Sequence, residues 1–220
     1  MNTYVIRGLC LLIGYVFGCI HFAYIFGRST KNIDIRDYGS GNSGTTNTLR
    51  TLGIKAGLIT FAGDCLKAIV AMAVVWAIFH GIAEDWIKVL CLYAGFGAVL
   101  GHNFPVYLKF KGGKGIACTA GVVIGICPLA VPVCFLAFIL IVLITRYVSL
   151  GSIVGVLLFL LQIFVFYRNG ILGVSGNYAN EFVIITICFT LMAIIRHRTN
   201  IVRLLNGTEN KIHFSKSDQS

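Results

Sequence analysis

Residues 116–167 of this protein read IACTAGVVIGICPLAVPVCFLAFILIVLITRYVSLGSIVGVLLFLLQIFVFY and contain a single charged side chain, Arg146. A helix that spans a bilayer needs ~20 apolar residues, because it rises ~1.5 Å per residue through ~30 Å of hydrocarbon. The stretch could therefore form two long spans or three short ones. Pro128 and Pro132 interrupt it once and the segment Arg146–Ser149 interrupts it again, since proline removes a helical hydrogen bond. We predict three short spans.

The rest of the chain is dominated by apolar blocks as well. Of its 220 residues, 57% are hydrophobic and 12% are charged, and mean hydropathy is +0.87; a soluble domain carries about twice that charged fraction. We predict an all-α, polytopic integral membrane protein that forms one membrane-embedded domain, residues 1–220. Its seven predicted transmembrane helices are Tyr4–Gly27, Gly53–Phe79, Ile87–Phe104, Ile116–Cys127, Leu129–Thr145, Leu150–Tyr167 and Phe182–Ile195. The first is too long for the apolar region of a signal peptide and is predicted to be retained.

Charge is distributed unevenly between the two sides that this topology defines. With the N-terminus outside, segments 28–52, 105–115, 146–149 and 196–220 share one side. That side, with Lys55 at its edge, holds fourteen basic residues: Arg28, Lys31, Arg36, Arg50, Lys55, Lys109, Lys111, Lys114, Arg146, Arg196, Arg198, Arg203, Lys211 and Lys216. The other side has three, Arg7, Lys88 and Arg168. Because Lys and Arg accumulate in cytoplasmic loops, we predict that the basic side and the C-terminus are cytoplasmic.

The formal net charge of +10 would indicate nucleic acid in a soluble protein. In a membrane protein it favours cytoplasmic loops, anionic headgroups or phosphorylated substrates, so no nucleic-acid partner is expected. Eight cysteines form no CxxC pair, and no histidine lies at zinc-finger spacing. We therefore expect buried thiols, with neither a disulfide framework nor a metal site.

The first polar motif on the basic side is YGSGNSGTTNTLR, residues 38–50. Its glycines allow the backbone to approach a ligand closely and to offer N–H donors. It contains GxGxxG, but no strand–turn–helix unit surrounds it, which argues against a dinucleotide site. The alternative is a solvated turn in which Ser43 or Thr45 caps the next helix.

The second motif is GHNFPVYLKFKGGKG, residues 101–115. Its Gly-Gly-Lys-Gly end precedes the fourth predicted span, where exposed helix amides, the helix dipole and Lys114 would all favour a phosphate. No Ser or Thr follows the lysine, so this is not a Walker motif. The alternative is a basic loop that contacts lipid headgroups.

The third motif, RHRTNIVRLLNGTE, covers residues 196–209 as the last span ends. His197 and Asn200 are three residues apart and share a helix face, and His can hold or move a proton near neutral pH. The alternative is the usual cationic flank of a final span. Within the second span, Asp64 and Lys67 lie at i and i+3, where a functional role and a structural ion pair remain equally open.

In this order, the three motifs resemble those of the bacterial acyl-phosphate-dependent glycerol-3-phosphate acyltransferase family, over the chain from the first span to Glu209. The family typically has Ala at the position of Thr45 and an aliphatic residue or Pro at Ser43; both departures are conservative in size. The resemblance implies a seven-span enzyme of the bacterial cytoplasmic membrane with its active site facing the cytoplasm. It implies acyl phosphate and glycerol 3-phosphate as substrates and lysophosphatidic acid and phosphate as products, in the first acylation of phospholipid synthesis.

Carried over residue by residue, the resemblance implies two sets of functional residues. The predicted catalytic residues are Ser40, Arg50, Lys114 and His197. The predicted substrate-binding residues are Gly39, Gly41, Asn42, Asn47, His102, Gly112, Gly113, Ser149, Asn200 and Glu209. No metal, cofactor or obligate protein partner is expected beyond the membrane lipids.

An acyl phosphate already carries a good leaving group, so charge neutralisation by Arg50, Lys114 and helix N-termini is the larger requirement. His197 could accept the proton of the glycerol hydroxyl, or a phosphate oxygen could do so while His197 positions the substrate. The family favours the substrate-assisted route without an acyl-enzyme. The main alternative function is a transporter for a phosphorylated metabolite, but the polar motifs lie at one face rather than at the midplane.

Overall fold

A computed structural model describes residues 2–212; Met1 and residues 213–220, including Lys216 of the basic set, lie outside the described part. Every regular element in the described part is helical. The α-helices are α1 (Thr3–Gly18), α2 (Phe22–Lys31), α3 (Thr45–Leu52), α4 (Ile54–Phe79), α5 (Ile87–Asn103), α6 (Ile116–Ile126), α7 (Val131–Thr145), α8 (Val148–Arg168), α9 (Gly176–Arg196) and α10 (Arg198–Leu205). The all-α fold class is confirmed.

Six helical segments of the described chain are long and apolar enough to cross a bilayer, rather than the seven predicted. They are Thr3–Lys31, Ile54–Phe79, Glu84–Leu108, Pro128–Thr145, Val148–Arg168 and Gly176–Arg196. The predicted fourth span, Ile116–Cys127, is the short helix α6. Its 11 residues reach only about half of a ~30 Å hydrocarbon layer. The division of residues 116–167 into three helices is nevertheless confirmed.

The predicted first span, Tyr4–Gly27, is divided into two helices. α1 ends at Gly18, α2 begins at Phe22, and buried His21 lies in the break. The break releases the carbonyl of Ile20, which accepts a hydrogen bond from Lys67 Nζ at 2.7 Å. Irregular backbone at this depth is tolerated because protein groups supply the lost hydrogen bonds.

Helix α5 forms the centre of the bundle, between α1, α4, α6 and α9. Its contact with α1 is backbone to backbone: a Cβ at Gly97 would overlap the carbonyl of Leu11, and a Cβ at Gly14 would overlap that of Ala94. Small residues permit this approach where hydrophobic burial between helices gives little net gain in lipid. In contrast, α7 has one buried residue, Val142, and packs mainly on α8.

The two ends of the bundle differ in chemistry. At one end, the loops that precede α3, α6, α8 and α10 converge on a single cavity. α6 begins at this cavity, and α7 follows it after the turn Pro128–Ala130. The convergence agrees with the predicted grouping of the basic segments on one side. Elsewhere, Arg7 of α1 pairs with Glu181 of α9, and Tyr93 also donates to that carboxylate at 2.8 Å.

Candidate active site

The cavity at the convergent end has a volume of about 280 Å³, and we call it the basic cavity. All four predicted catalytic residues line it. Six predicted substrate-binding residues do so as well: Asn42, Asn47, His102, Ser149, Asn200 and Glu209. The remaining four, Gly39, Gly41, Gly112 and Gly113, do not line it. Their part in substrate binding stays a prediction, and the structure shows that they shape the two loops.

The Ser40 loop is organised around the buried side chain of Asn47. The amide nitrogen of Asn47 donates to the carbonyls of Ile35 and Tyr38, each at 3.0 Å. Its oxygen accepts from the backbone N–H of Ser40 at 2.8 Å and from the Ser40 hydroxyl at 3.2 Å. Gly39 has a φ of +59° and lies so close that a Cβ would overlap the Asn47 oxygen. Asn47 therefore positions the loop, with its amide hydrogens already engaged.

The Gly112–Gly113–Lys114 turn is held from two sides. Arg196 donates to the carbonyls of Gly112 and Gly113, at 3.1 and 2.7 Å. The amide of Gly113 donates to the carbonyl of His102 at 3.0 Å. A Cβ on Gly113 would overlap the His102 ring, so glycine is required here. The next amides along the chain, those of Lys114 and Gly115, have no acceptor among the described residues.

Four helix N-termini line the basic cavity, those of α3, α6, α8 and α10. None of the four has a side-chain hydrogen bond at its N-cap. The first amides of each helix therefore have no capping side chain, and each N-terminus carries a partial positive charge. Such ends bind phosphate and carboxylate groups. The main chain thus makes the cavity electropositive in addition to the basic side chains.

The cationic side chains of the cavity are Arg50, Lys114 and Arg203. Lys114 Nζ donates to Oδ1 of Asn200, and the Asn200 amide donates to Glu209 at 2.9 Å. Arg203 also pairs with Glu209 at 2.9 Å. Burial lowers the pKa of the Lys114 ammonium to about 8, and the neighbouring arginines oppose its charge while Glu209 supports it.

His197 lies between α9 and α10 with only 2% of its surface exposed. Its Nδ1 is 2.8 Å from the carbonyl of Ala193, so Nδ1 carries the proton and donates. The lone pair is then on Nε2. Burial and, to a smaller extent, the charge of Lys114 lower the pKa of this imidazole to about 4. His197 is therefore a neutral hydrogen-bond acceptor at physiological pH.

Ser149 and several residues absent from the predicted set complete the wall. The buried Ser149 hydroxyl has no hydrogen-bond partner among the described residues, so it is available to a ligand. Arg203 belongs to the third motif, and its positive charge is the feature by which the sequence could have identified it as a site residue. Phe61 and Phe138 supply an apolar part of the wall. Sequence alone could not select them, because they sit in apolar runs like many lipid-facing residues.

Asp64, His102 and Cys118 are close enough to be considered as metal ligands, with their ligating atoms within 4.8 Å of one another. Lys67 Nζ already lies 2.7 Å from Asp64 and 3.0 Å from His102 Nδ1. A protein ammonium thus neutralises the carboxylate that a metal ion would need. The Asp64–Lys67 ion pair, one of the two alternatives at the sequence level, is present.

The fold and the cavity define a helical integral membrane protein with a site for anionic groups near one end of the bundle. The sequence model of the family described as glycerol-3-phosphate acyltransferase matches residues 8–207. A glycerol-3-phosphate acyltransferase of Thermoanaerobacter sp. (strain X514) is 41% identical over 204 residues, covering 93% of this chain and 94% of that protein. One from Halalkalibacterium halodurans is 39% identical over 206 residues, covering 93% and 95%.

Two solved structures are similar to this one over nearly the whole chain. One is the crystal structure of PlsY (YgiH), an integral membrane glycerol 3-phosphate acyltransferase, in its glycerol 3-phosphate form. Its TM-score is 0.81 at 33% identity, with 97% of this chain and 99% of that chain covered. The lysophosphatidic acid form of PlsY gives a TM-score of 0.78 at 34% identity, covering 94% and 95%. This chain belongs to the glycerol-3-phosphate acyltransferase family.

Proposed function

We propose that this protein transfers a fatty acyl group from acyl phosphate to the 1-hydroxyl of glycerol 3-phosphate, as a single membrane-embedded domain. The products are lysophosphatidic acid and inorganic phosphate, and the reaction is the first acylation of phospholipid synthesis. The observation that carries the proposal is the basic cavity itself. Four helix N-termini without side-chain caps and three basic side chains surround a volume of about 280 Å³. Two phosphorylated substrates need such a surplus of positive charge.

The geometry around His197 supports substrate-assisted proton transfer. The glycerol hydroxyl oxygen attacks the acyl carbonyl carbon, the bond from that carbon to the phosphate oxygen breaks, and phosphate leaves with the electron pair. A base whose pKa is about 4 is a poor proton acceptor near pH 7. His197 Nε2 instead accepts a hydrogen bond from the hydroxyl and orients it. A phosphate oxygen of the donor takes the proton.

Ser40 is not suited to be a nucleophile. Its hydroxyl donates to the amide oxygen of Asn47, which is not a base. A serine nucleophile requires an adjacent base such as histidine. We infer that Ser40 and the amides of its loop bind substrate oxygens, while Arg50 and Lys114 neutralise the phosphate charge. Phe61 and Phe138 give the start of the acyl chain an apolar wall.

We also propose that the basic cavity faces the cytoplasm, as the asymmetry of the basic loops indicates. Glycerol 3-phosphate is charged and water-soluble, whereas the acyl group is apolar, so a cavity at one end of the bundle gives access to both phases. A transporter would need alternating access to two sides. No observation in the structure favours that second function.

Purified protein in lipid nanodiscs tests the proposal. Release of inorganic phosphate from palmitoyl phosphate should depend on glycerol 3-phosphate, and lysophosphatidic acid should form in equal amount. Parallel reactions with palmitoyl-CoA and palmitoyl-acyl carrier protein identify the donor. Lys114→Ala should abolish most activity, whereas Lys111→Ala, an exposed lysine of the same loop, should not. Product from a thioester donor but none from acyl phosphate would contradict the proposal.

A further inference from the structure

A buried charge cluster around Lys67 extends to the wall of the basic cavity, which Asp64 and His102 both line. Lys67 of α4 has 3% of its surface exposed and Asp64 has 1%. The Lys67 ammonium contacts three acceptors: the Ile20 carbonyl at 2.7 Å, Asp64 Oδ1 at 2.7 Å and His102 Nδ1 at 3.0 Å. The contacts with Ile20 and His102 are hydrogen bonds, whereas Asp64 meets the ammonium as an ion pair without hydrogen-bond geometry. The break between α1 and α2 supplies the first of these acceptors.

This arrangement determines which nitrogen of His102 carries the proton. Because the lysine donates to Nδ1, that nitrogen holds its lone pair, and the neutral ring carries its hydrogen on Nε2. The competing contact, from Nδ1 to Asp64 Oδ1, is longer at 3.4 Å. The ring is also fixed on one face, where His21 stacks at 4.6 Å between ring centres. His21 Nε2 donates to the His102 carbonyl at 2.9 Å, which holds the backbone as well.

The opposite edge of the same ring meets the Gly-Gly-Lys turn. A Cβ at Gly113 would overlap Nε2 of His102, so this edge lies against the glycine. His102 also lines the basic cavity. The His102 ring therefore packs between Lys67 and the Gly112–Gly113–Lys114 turn. The position of the turn depends on the orientation of this ring.

We propose that the Asp64–Lys67 ion pair is a positioning element that acts through His102, holding its Nε2–H toward the turn and thereby setting the affinity for the phosphoryl group bound there. The proposal rests on the function proposed above and goes beyond it, because neither Asp64 nor Lys67 belongs to the predicted site residues. The phosphoryl group can be that of glycerol 3-phosphate or that of the acyl donor.

A purely structural ion pair would give a different result from a positioning pair. Removing a structural pair changes stability and lowers the amount of folded enzyme, which reduces the maximal rate without changing KM. Removing a positioning pair leaves the folded fraction intact and raises KM for the substrate whose phosphoryl group meets the turn. Because the two partners neutralise each other, replacing both with neutral residues of similar shape avoids an uncompensated buried charge.

The test compares Asp64→Asn/Lys67→Met with the unmodified protein, and repeats the comparison in a His102→Ala background. We expect KM for one of the two substrates to rise about tenfold or more, the effect of losing one hydrogen bond to a charged group, with kcat per folded enzyme within about threefold. In the His102→Ala background the same double change should alter KM less than about twofold, because coupled residues are not additive. An unchanged KM for both substrates, or an equal rise in both backgrounds, overturns the proposal.

A second readout does not depend on activity. Hydrogen–deuterium exchange of the peptide covering residues 109–116 should be faster in Asp64→Asn/Lys67→Met than in the unmodified protein, and equal exchange overturns the proposal. If the unmodified protein does not use acyl phosphate, the proposed function fails while this measurement still tests the positioning.

If the double variant does not fold, His102→Gln and His102→Leu replace it. The Gln amide keeps an N–H donor near Nε2, so its KM should stay below that of the Leu variant; equal values overturn the proposal.

Discussion

Asn200 lies between Lys114 and Glu209, accepting a hydrogen bond from the ammonium and donating one to the carboxylate at 2.9 Å. A neutral amide thus separates a cation from an anion that would otherwise pair directly. The charge of Lys114 remains available to a phosphate, and Glu209 is kept in place by Asn200 and Arg203. Asn200 orients the charged groups of the basic cavity, and this role accounts for its place in the third motif.

The first prediction concerns this separation. Asn200→Asp places a carboxylate against Lys114 and next to Glu209, which repels an incoming phosphate by several kcal/mol at short range. We expect kcat/KM to fall about 100-fold, against about tenfold for Asn200→Ala, which only removes hydrogen bonds. Steady-state kinetics at fixed pH, with thermal unfolding measured alongside, check this. An Asp variant as active as the Ala variant would contradict it.

The second prediction concerns pH. Lys114 has a pKa lowered to about 8, so its positive charge is present below that pH and is lost as pH rises through it. We expect kcat/KM to decline above about pH 8. Because kcat reports the substrate complex, in which a bound phosphate stabilises the ammonium, its decline should occur at higher pH. In Lys114→Arg the alkaline decline of kcat/KM should disappear up to about pH 10, since guanidinium stays charged. If kcat/KM declined over the same alkaline pH range in both proteins, Lys114 would not be the group whose titration causes the decline.

The third prediction concerns His197. Its Nε2 accepts a hydrogen bond from the substrate hydroxyl in the proposed mechanism, so His197→Ala should lower kcat by about 100-fold. His80→Ala, an exposed histidine outside the basic cavity, is the matched control and should retain normal rates. Intact-mass spectrometry of the unmodified protein during turnover should detect no acylated Ser40. A trapped acyl-enzyme would refute the substrate-assisted route.

The fourth prediction concerns the unpaired hydroxyl of Ser149. Because this buried group has no partner among the described residues, removing it should not destabilise the fold. Ser149→Ala should lower kcat/KM about tenfold, as expected for one lost hydrogen bond to a charged ligand. Ser152→Ala is the comparison, since that hydroxyl already donates to the Val148 carbonyl at 2.8 Å. A Ser152 variant as impaired as the Ser149 variant would indicate a packing effect instead.

The fifth prediction separates positioning from substrate contact in the Ser40 loop. Asn47→Ala removes the four hydrogen bonds that its side chain makes within the Ser40 loop and should lower stability by about 3 kcal/mol. Asn42→Ala, whose side chain also lines the cavity, should leave stability unchanged. Thermal unfolding followed with a thiol-reactive dye suits this chain, because most of its eight free cysteines are buried. Equal unfolding temperatures for the two variants would contradict the assigned role of Asn47.

Sequence reasoning was most successful where the pattern is local and repeated. Apolar runs and their interruptions predicted the helices, and the division at Pro128 and at Arg146–Ser149 is confirmed. The first span is confirmed as one apolar segment, but the break between α1 and α2 within it was not predicted. His21 stabilises the break through a contact with His102, 81 residues away, and periodicity contains no information about such distant partners.

The same limit applies to the candidate site. The three motifs predicted which loops would meet, because each loop is polar, glycine-rich or basic between apolar spans. They did not distinguish residues that line the cavity from residues that only shape its loops, as Gly39 and Gly113 do. That distinction depends on backbone angles and on contacts between segments. Phe61 and Phe138 were missed because an apolar residue in a span gives no sign of which neighbour it faces.

Peptide groups at four helix ends add to the positive potential that the basic side chains give the basic cavity. Peptide groups cannot be deleted by a codon change, so a single substitution removes only part of the attraction for an anion. A dianionic inhibitor held mainly by these amides would retain most of its affinity when any one side chain is replaced. Resistance to such a compound would have to arise by altering the helix ends themselves, at the expense of the enzyme's own substrates.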